Sequence, residues 1–390
     1  MKQQPLFLVA ILFAFCLFSA FATSTPKGVF AGGAVDYKNT AIYNAFIQQA
    51  TPVGGVPYIG IITAGVSLDV AYSTALISIS QFKNFYKVKN VEWLPFHIDN
   101  ATTCQSAAWN EKISQMTGIF INGGNSQPML DCFIPNGVPS PALQAVKEAY
   151  SCGALAVFGS SAGAATLQGN PFLKIQDSWN AIAFNLLYIK TGGMGIFNSG
   201  FMDVHFSTRG RQGALARLLY DLKSYQKLAF GVDQNTAMVS NDPAKFTVAG
   251  AAGVYVFSNT AATNATQVVN KKVRWGVKNI KVHYFTANDT YNWNTGGYSW
   301  GVNKKKVVTT SQAPLVGSDI FADGVFTAVT QSLFNSAATS TYGVTSETAP
   351  QYRIDFRKVS SSISVSRVVD GVTYQSYSNL YMDIYCYYNC

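Results

Sequence analysis

Short, wholly apolar runs alternate with segments of helical periodicity over the first two-thirds of the chain. Five of the apolar runs are predicted strands: GVFAGG (28–33), VPYIGIITAG (56–65), GIFINGG (118–124), ALAVF (154–158) and LAFGVD (228–233). Three segments between them carry apolar residues at helical spacing: TAIYNAFIQQA (40–50), SPALQAVKEAY (140–150) and QGALARLLYDL (212–222). Ser140 is the predicted N-cap of the second helix, and Pro141 is its first residue. Such alternation predicts an α/β fold, a parallel sheet with helices on both faces.

The pattern changes after about residue 245, where alternating and β-branched segments replace the helices. The predicted strands there lie in VYVFSN, VRWGVKNIKVHYF, KKVVTTS and SSISVSRVV. Neither an internal repeat nor a flexible linker marks the change. We therefore predict an α/β domain at 27–260 and a β-rich C-terminal region at 261–390.

The composition is that of a globular protein, with 48% hydrophobic and 12% charged residues among 390. Residues 1–22 combine a weakly basic start, an apolar run and the small-residue sequence Ala20-Phe21-Ala22, which predicts a secretory signal peptide cleaved before Thr23. The alternative is an uncleaved anchor, for which the run is short. No later segment is long and apolar enough to span a bilayer. We expect a mature chain without a membrane span, secreted or in the lumen of the secretory pathway.

Removal of this leader takes away Cys16 and leaves an odd number of cysteines. They are Cys104, Cys132, Cys152, Cys386 and Cys390. An oxidising compartment favours disulfides, and the odd count predicts at least one thiol that is free or paired between chains. N-x-S/T triplets at Asn100, Asn264 and Asn288 predict a glycoprotein. The formal charge of +9 comes from scattered basic residues without a nucleic-acid-binding motif, so we expect no nucleic-acid partner.

The strand at 154–158 leads into Gly159-Ser160-Ser161-Ala162-Gly163, in which the spacing Gly-x-Ser-x-Gly singles out Ser161. On a strand-to-helix turn this pattern is a nucleophile elbow. Small neighbours permit an exposed, strained serine, and the next backbone N–H can stabilise an oxyanion. The alternative is a glycine-rich turn with no chemical role.

His205 is the candidate general base for this serine. It lies in FMDVHFSTRGRQG, with Asp203, Arg209 and Arg211 beside it. A base followed by cationic groups that hold an anion would explain the cluster, and the alternative is a charged loop that enters a helix. Of the other two histidines, His97 is interpreted as structural, and His283 is predicted to point away from the core. No metal-ligand spacing occurs, so we expect neither a metal nor another cofactor.

Four motifs occur in the order GIFINGGNSQ, VFGSSAGAA, DVHFSTRGRQG and FGVDQNTA. In this order they resemble the motifs of cyanophycinases, serine peptidases related to aspartyl dipeptidase. FAGGAVD near the start and VHYFTANDTYNWNTG later are also similar, so the resemblance covers 27–297 and implies that 261–300 is still part of the family domain. It implies the fold of the class I glutamine amidotransferases, a flavodoxin-like sheet, which agrees with the α/β pattern.

The resemblance also implies roles for individual residues. Ser161 would be the nucleophile, His205 the base, and the backbone N–H groups of Gly123, Gly124 and Ala162 the oxyanion hole. The triad acid would be Asp177 in KIQDSWN, with Asp233 in GVDQNTA as the reserve. Candidate substrate-binding residues are Asn125, Ser126, Asp203, Arg209 and Arg211.

Four positions depart from the family pattern. Gly123-Gly124-Asn125-Ser126 stands where the family usually reads GGDQ, Val204 replaces a glutamine before the histidine, and Ala214 replaces a third arginine. These departures imply that the chemistry is retained while the substrate pocket has changed.

The leading hypothesis is a secreted serine peptidase that cleaves small or isopeptide-linked aspartyl peptides without a cofactor. Its expected partner is a peptide substrate, and assembly into a homo-oligomer stays open. A non-catalytic binding protein on the same scaffold is the first alternative, suggested by the altered pocket and the aromatic C-terminal third. The second is an α/β-hydrolase esterase, in which His283 would act with Asp233.

Overall fold

In a computed structural model that describes residues 25–106 and 108–390, five strands of the first 160 residues lie side by side in one sheet, and only the one at 90–94 was not predicted. They are β1 (Lys27–Ala31), β2 (Tyr58–Ile62), β3 (Asn90–Leu94), β4 (Gly118–Ile121) and β5 (Ala156–Ser160). All five are parallel, in the order β3-β2-β4-β5-β1. Their carboxyl ends therefore meet at one edge, where ligands bind in sheets of this type.

Helices cover both faces of this sheet. The α-helices of the described part of the chain are α1 (Thr40–Ala50), α2 (Leu68–Ser80), α3 (Ala101–Gln105), α4 (Ala108–Gln115), α5 (Ser126–Phe133), α6 (Pro141–Ser151), α7 (Ala162–Leu167), α8 (Ser178–Ala183), α9 (Gln212–Asp221) and α10 (Val325–Asn335), of which the last three cover the second sheet described below. Val29 and Ala31 of β1 pack with Phe46 of α1 on one face, whereas Phe30 packs in a separate cluster with Leu143 of α6 on the other. Alternate residues of a strand thus enter different cores. The predicted α/β fold with helices on both faces is confirmed.

The remaining strands come mostly from the second half of the chain. They are β6 (Phe172–Leu173), β7 (Tyr188–Ile189), β8 (Phe201–Val204), β9 (Leu228–Val232), β10 (Thr236–Asp242), β11 (Lys245–Gly250), β12 (Gly253–Ser258), β13 (Thr263–Asn264), β14 (Gln267–Val269), β15 (Lys272–Arg274), β16 (Val277–Thr286), β17 (Thr290–Asn292), β18 (Tyr298–Ser299), β19 (Lys305–Lys306), β20 (Ser340–Val344), β21 (Gln351–Val369) and β22 (Val372–Tyr388). The antiparallel strands β10, β11, β17 and β18 extend the first sheet beyond β1.

A second sheet runs in the order β19-β21-β22-β16-β12-β9-β8, with β8 and β9 parallel and the other neighbours antiparallel. The long hairpin β21–β22 forms much of the predicted β-rich C-terminal region. Three strands of this sheet, β8, β9 and β12, precede residue 260, and the others follow it. The predicted domain boundary at that residue therefore divides a single sheet.

The two sheets pack against each other through aromatic rings. Phe230 of β9 lies 5.8 Å from Phe246 of β11, and Phe285 of β16 lies 5.5 Å from Tyr291 of β17, measured between ring centroids. Helices α8, α9 and α10 cover the opposite face of the second sheet. The carboxyl end of β8 is consequently held close to that of β1.

Disulfides are present, as predicted. Cys104 of α3 pairs with Cys132 of α5, and Cys386 of β22 pairs with Cys390. None of the described cysteines is a free thiol. The prediction of a thiol that is free or paired between chains assumed that the leader is removed together with Cys16. The leader, residues 1–22, and the cleavage position before Thr23 lie outside the described residues, as do the side chains of the triplet at 100–102.

The other two predicted glycosylation triplets begin at Asn264 and Asn288, both of which are exposed. None of the helices in the described part of the chain combines the length and apolarity needed to cross a bilayer.

A buried ion pair ties the end of the first sheet to β22. The Nζ atom of Lys304 lies 2.7 Å from Oδ2 of Asp289, and both side chains have no exposed surface. Lys304 also donates to the hydroxyls of Thr286 and Ser376, while Asp289 accepts from the Gly301 N–H at 2.7 Å. Burial lowers the pKa of Lys304 and the Asp289 carboxylate opposes that shift. The network therefore holds both charges with a full set of partners.

Replacement of Lys304 by methionine should leave the Asp289 carboxylate buried without its cation. We expect the free energy of unfolding, measured by urea titration, to fall by about 3–5 kcal/mol. The matched control is Lys305→Met, at an exposed neighbour, which should change it by about 0.5 kcal/mol or less. A similar effect of the two substitutions would contradict a stabilising role for the buried pair.

Candidate active site

Ser161 lies at the turn from β5 into α7. Its φ is 57° and its ψ is −125°, a backbone conformation that side-chain-bearing residues rarely adopt. The glycines on either side make room for the turn. A Cβ at Gly163 would lie 2.3 Å from the Ile121 carbonyl oxygen, and one at Gly159 would lie 2.7 Å from Ala164 Cα. The strained turn leaves the Ser161 side chain partly exposed, as a nucleophile elbow requires.

His205 follows β8, in the second sheet, and also has a positive φ, of 50°. Its Nε2 atom lies 2.6 Å from Oγ of Ser161, although the two residues belong to different sheets. The structure thus brings together the two side chains that the sequence analysis singled out. The imidazole is largely buried and the hydroxyl is partly exposed, so the pair faces an open region above the strand ends.

The end of β1 holds this pair in place. The backbone N–H of Ser161 donates to the Ala31 carbonyl at 3.0 Å, and that of His205 donates to the Gly32 carbonyl at 2.8 Å. A Cβ at Gly33 would lie 2.4 Å from His205 Nε2 and 2.8 Å from Ser161 Cβ. The contact therefore requires a residue without a side chain at position 33.

Gln234 contacts the other side of the imidazole, a role that the sequence analysis missed. Its Nε2 atom lies 2.8 Å from Nδ1 of His205. As placed, the amide nitrogen donates to Nδ1, which leaves the ring proton on Nε2. Rotation of the amide by 180° exchanges its nitrogen and oxygen, so that the oxygen accepts from Nδ1–H and Nε2 can accept from the serine. The sequence feature that could have identified Gln234 is its position two residues after the end of β9, at the edge where the strand ends meet.

The two carboxylates that were expected to support His205 have other partners. Asp177 is exposed and is the N-cap of α8, where Oδ1 accepts from the Asn180 backbone N–H at 2.8 Å. Asp233 is buried and accepts from the Ser207 N–H at 3.0 Å and from the Tyr284 hydroxyl at 3.1 Å. Burial raises the pKa of Asp233 to about 6. Neither assignment as triad acid agrees with this geometry, because Gln234 occupies the Nδ1 side.

Arg211 is buried in an ion pair and is not available as an anion clamp. Its Nε and Nη2 atoms lie 2.7 and 2.9 Å from the two carboxylate oxygens of Asp203. Its Nη1 atom donates to the carbonyls of Lys174 and Gln176. The expected substrate contacts of Asp203 and Arg211 are therefore replaced by a structural tie across the loop after β8. Arg209, in contrast, is exposed to solvent.

The environment of His205 favours the neutral imidazole. Burial is the main cause that lowers its pKa to about 4, and the charges of Arg209 and Arg211 lower it further, against the opposing charge of Asp203. Above that pH the ring carries one proton and one free lone pair. A neutral imidazole next to a serine hydroxyl is the state that can accept a proton.

Backbone N–H groups surround the serine. Among the described residues, those of Gly123 and Gly124 have no carbonyl partner, and that of Ala162 is in the first turn of α7, where helix amides are unpaired. A Cβ at Gly123 would lie 3.0 Å from Ser161 Cβ, so this glycine packs directly against the serine. Asn125 caps α5 by accepting from the Gln127 N–H, and Ser126 begins that helix.

The other two histidines are outside this site. His97 is buried, and its Nε2 lies 2.7 Å from the Val66 carbonyl oxygen. The prediction that His283 points away from the core is wrong. This residue is 4% exposed and packs against Phe285 and Tyr291, since β16 is covered on both faces. Burial lowers its pKa to about 3, and it contacts neither Ser161 nor Asp233, so the esterase arrangement is absent from the described residues.

No group of three or more metal-ligating side chains occurs within the part of the chain that the structure covers.

Known proteins provide an independent comparison. No protein-family model matches the chain. Cyanophycinases of Trichormus variabilis and of a Nostoc species are each 24% identical to it over 190 residues, which is 48% of this chain and 61% of each relative. The chain thus matches about three-fifths of the length of these curated relatives.

Among solved structures, a peptidase from an acI-B1 Actinobacterium superposes with a TM-score of 0.50 at 16% identity. The superposition covers 70% of this chain and 99% of that one. A putative peptidase E protein from Listeria monocytogenes superposes with a TM-score of 0.34 at 15% identity, over 55% of this chain and 93% of that one. The first superposition agrees with the flavodoxin-like fold. The chain is therefore similar to cyanophycinases over part of its length, and its ordered motifs lie within the resemblance noted in the sequence.

Proposed function

We propose that the chain is a secreted, glycosylated serine peptidase, with Ser161 as nucleophile and His205 as general base. The observation that carries the proposal is the distance of 2.6 Å between Ser161 Oγ and His205 Nε2, formed across two sheets. The strained backbone of Ser161 adds to it, because strain of this kind persists where a side chain must be presented. Similarity to cyanophycinases supports a peptide as the substrate.

In the proposed reaction, Ser161 Oγ attacks the carbonyl carbon of the scissile bond while its proton passes to His205 Nε2. The carbonyl oxygen becomes an oxyanion beside the N–H groups of Gly123, Gly124 and Ala162. The imidazolium then gives its proton to the leaving nitrogen, and the C–N bond breaks to leave an acyl ester on Ser161. Water, deprotonated by His205, hydrolyses that ester and restores the serine.

Gln234 would orient the imidazole as the acid does in other triads, but it would not provide a negative charge. An amide oxygen that accepts from Nδ1–H fixes the tautomer that can act as a base. A neutral amide stabilises the imidazolium less than a carboxylate does, because it brings no opposite charge. A slow peptidase is therefore expected.

One observation favours a second candidate, a secreted binding protein without activity. If the Gln234 amide nitrogen donates to Nδ1, as placed, the His205 proton stays on Nε2 and that atom cannot accept the serine proton. The two candidates thus differ in one amide orientation and predict opposite results with reagents that need an activated serine.

Labelling with a fluorophosphonate probe tests the proposal. We expect the probe to modify Ser161, and the rate to fall by about 10²–10⁴-fold in His205→Ala, which lacks the base. Mass spectrometry of the labelled peptide locates the modification. Ser151→Ala is the matched control, since it removes an exposed hydroxyl at the end of α6, outside the site, and should leave labelling in place. No labelling of the folded wild-type protein, or labelling that survives in Ser161→Ala, would contradict the proposal.

Substitutions of Gln234 test its positioning role. Gln234→Leu removes the contact with Nδ1 and should lower kcat by about 10²-fold, because an untethered imidazole is misplaced. Gln234→Glu should raise kcat and shift the acid limb of the pH profile upward, since a carboxylate favours the imidazolium. Gln312→Glu, which adds the same charge at an exposed site, serves as the control for net charge. A purely structural role would leave the pH profile of Gln234→Glu unchanged.

The pH dependence of kcat/KM should report the His205 environment. Activity should rise as pH increases through about 4, because the base acts when deprotonated and its pKa lies near that value. Arg209→Gln removes a nearby positive charge, so the midpoint should move upward toward the ordinary value for histidine. Added salt should narrow the difference between the two proteins, as screening weakens the interaction. Lys271→Gln, at an exposed turn, should leave the midpoint unchanged, and an equal shift in both variants would refute the local effect.

A further inference from the structure

A cavity of about 350 Å³ lies next to Gly123, which also packs against Ser161, and no charged side chain lines it. Ser160, Gly123 and Gly124 form its wall on the nucleophile side, and Tyr43 and Phe120 contribute aromatic surface. Its size is near the lower end of small-molecule sites, so it holds one residue or two and not a long polymer segment. Because Gly123 lies between this cavity and Ser161, the cavity is a space next to the nucleophile in which a substrate side chain can be held.

Helix α2 supplies the opposite wall with one stripe of uncharged residues. Thr74, Ile77, Ser78 and Gln81 line the cavity at intervals of three and four residues, the spacing of a single helix face that continues into the π-helical turn after α2. The only charged residue of α2 is Asp69, in its first turn. This wall offers methyl groups, hydroxyls and an amide, but nothing that neutralises a charge.

The hydrogen-bonding groups of the cavity are neutral as well. The Asn122 amide nitrogen donates to the Ser78 hydroxyl at 3.2 Å, which leaves the Asn122 amide oxygen directed to other partners. Outside the cavity, the exposed carboxylate of Asp36 is near enough to contribute to the raised pKa of Tyr43, and it accepts from the Lys38 backbone N–H at 2.9 Å. This carboxylate is thus at the surface and is not part of the lining.

Two large apolar side chains of α2 are exposed on the same helix face as the cavity stripe. Val70 and Ile77, seven residues apart, are 42% and 62% exposed. Exposed apolar side chains next to a cleft are typical of a surface that contacts a partner or a substrate. Their position agrees with an uncharged substrate that contacts α2 at the cavity.

We infer that the residue held beside the scissile bond is uncharged, with an apolar body and at most a neutral hydrogen-bonding end, such as leucine or glutamine. This inference rests on the proposed peptidase function and narrows its substrate class. An aspartate or arginine side chain would lose water in this cavity without gaining an opposite charge. The specificity for aspartyl peptides that the family resemblance implies would then not apply to this cavity.

Cleavage of a defined peptide mixture tests the inference. The peptides carry Leu, Gln, Asp or Arg at each position in turn, and mass spectrometry identifies the residues on both sides of each cleaved bond. We expect Leu and Gln on at least one side to give kcat/KM values 10-fold or more above those of Asp and Arg, roughly the discrimination that pocket contacts provide. Preference for Asp or Arg on both sides would overturn the inference.

Thr74→Lys places a cation on the cavity stripe and should raise kcat/KM for Asp peptides relative to Leu peptides by about 10-fold. Ser73→Lys, the neighbouring exposed position on α2, is the matched control and should not change this ratio. Gln81→Lys provides a second variant on the same stripe, and circular dichroism verifies that each variant is folded. An unchanged ratio in both stripe variants would count against the cavity as the specificity site.

The probe reaction separates this inference from the proposed function. If Ser161 is labelled and peptides are cleaved next to charged residues, only the inference about the cavity fails. If Ser161 of the folded protein is neither labelled nor able to cleave any peptide, the proposed function fails, and the inference fails with it.

Discussion

The meeting of Ser161 and His205 depends on how closely two sheets approach at the end of β1. The backbone carbonyls of Ala31 and Gly32 each accept a hydrogen bond from one member of the pair. Gly33 lies between their side chains, where a Cβ would be 2.4 Å from the imidazole nitrogen. The contact of 2.6 Å between Oγ and Nε2 therefore results from backbone packing. It requires a glycine at position 33 as well as the serine and the histidine.

Most of the charged side chains near Ser161 and His205 are engaged with other partners. Arg211 and Asp203 neutralise each other inside the loop after β8, and Asp233 is committed to Ser207 and Tyr284. The imidazole consequently has an amide as its neighbour at Nδ1, and burial keeps it neutral. The adjoining cavity continues this character, since its lining is also without charge. The exposed Arg209 is the charge that remains near the pair, whereas the cavity lining suits a neutral side chain better than an ionic one.

Much of the fold and part of the site could be predicted from local patterns. Alternation of apolar runs and helical periods predicts four of the five parallel strands, whereas the fifth predicted strand, 228–233, is β9 of the second sheet. Ser140 caps its helix as expected, with Oγ accepting from the Leu143 N–H. The assignments that failed concern which groups a side chain contacts in the folded protein. Asp177 caps a helix and His283 is covered on both faces, because a side chain's partner depends on segments that are distant in sequence.

The sequence alone determined the strand–helix alternation, the elbow at Ser161 and the candidacy of His205, since glycine spacing and hydrophobic period are local properties. Tertiary structure alone decided that Gln234 contacts Nδ1, that Arg211 is consumed by Asp203 and that an uncharged cavity lies beside the serine. Each of these depends on how β8 and β9 of the second sheet lie against β1 of the first. No local pattern encodes that arrangement, because it results from packing between segments far apart in the chain.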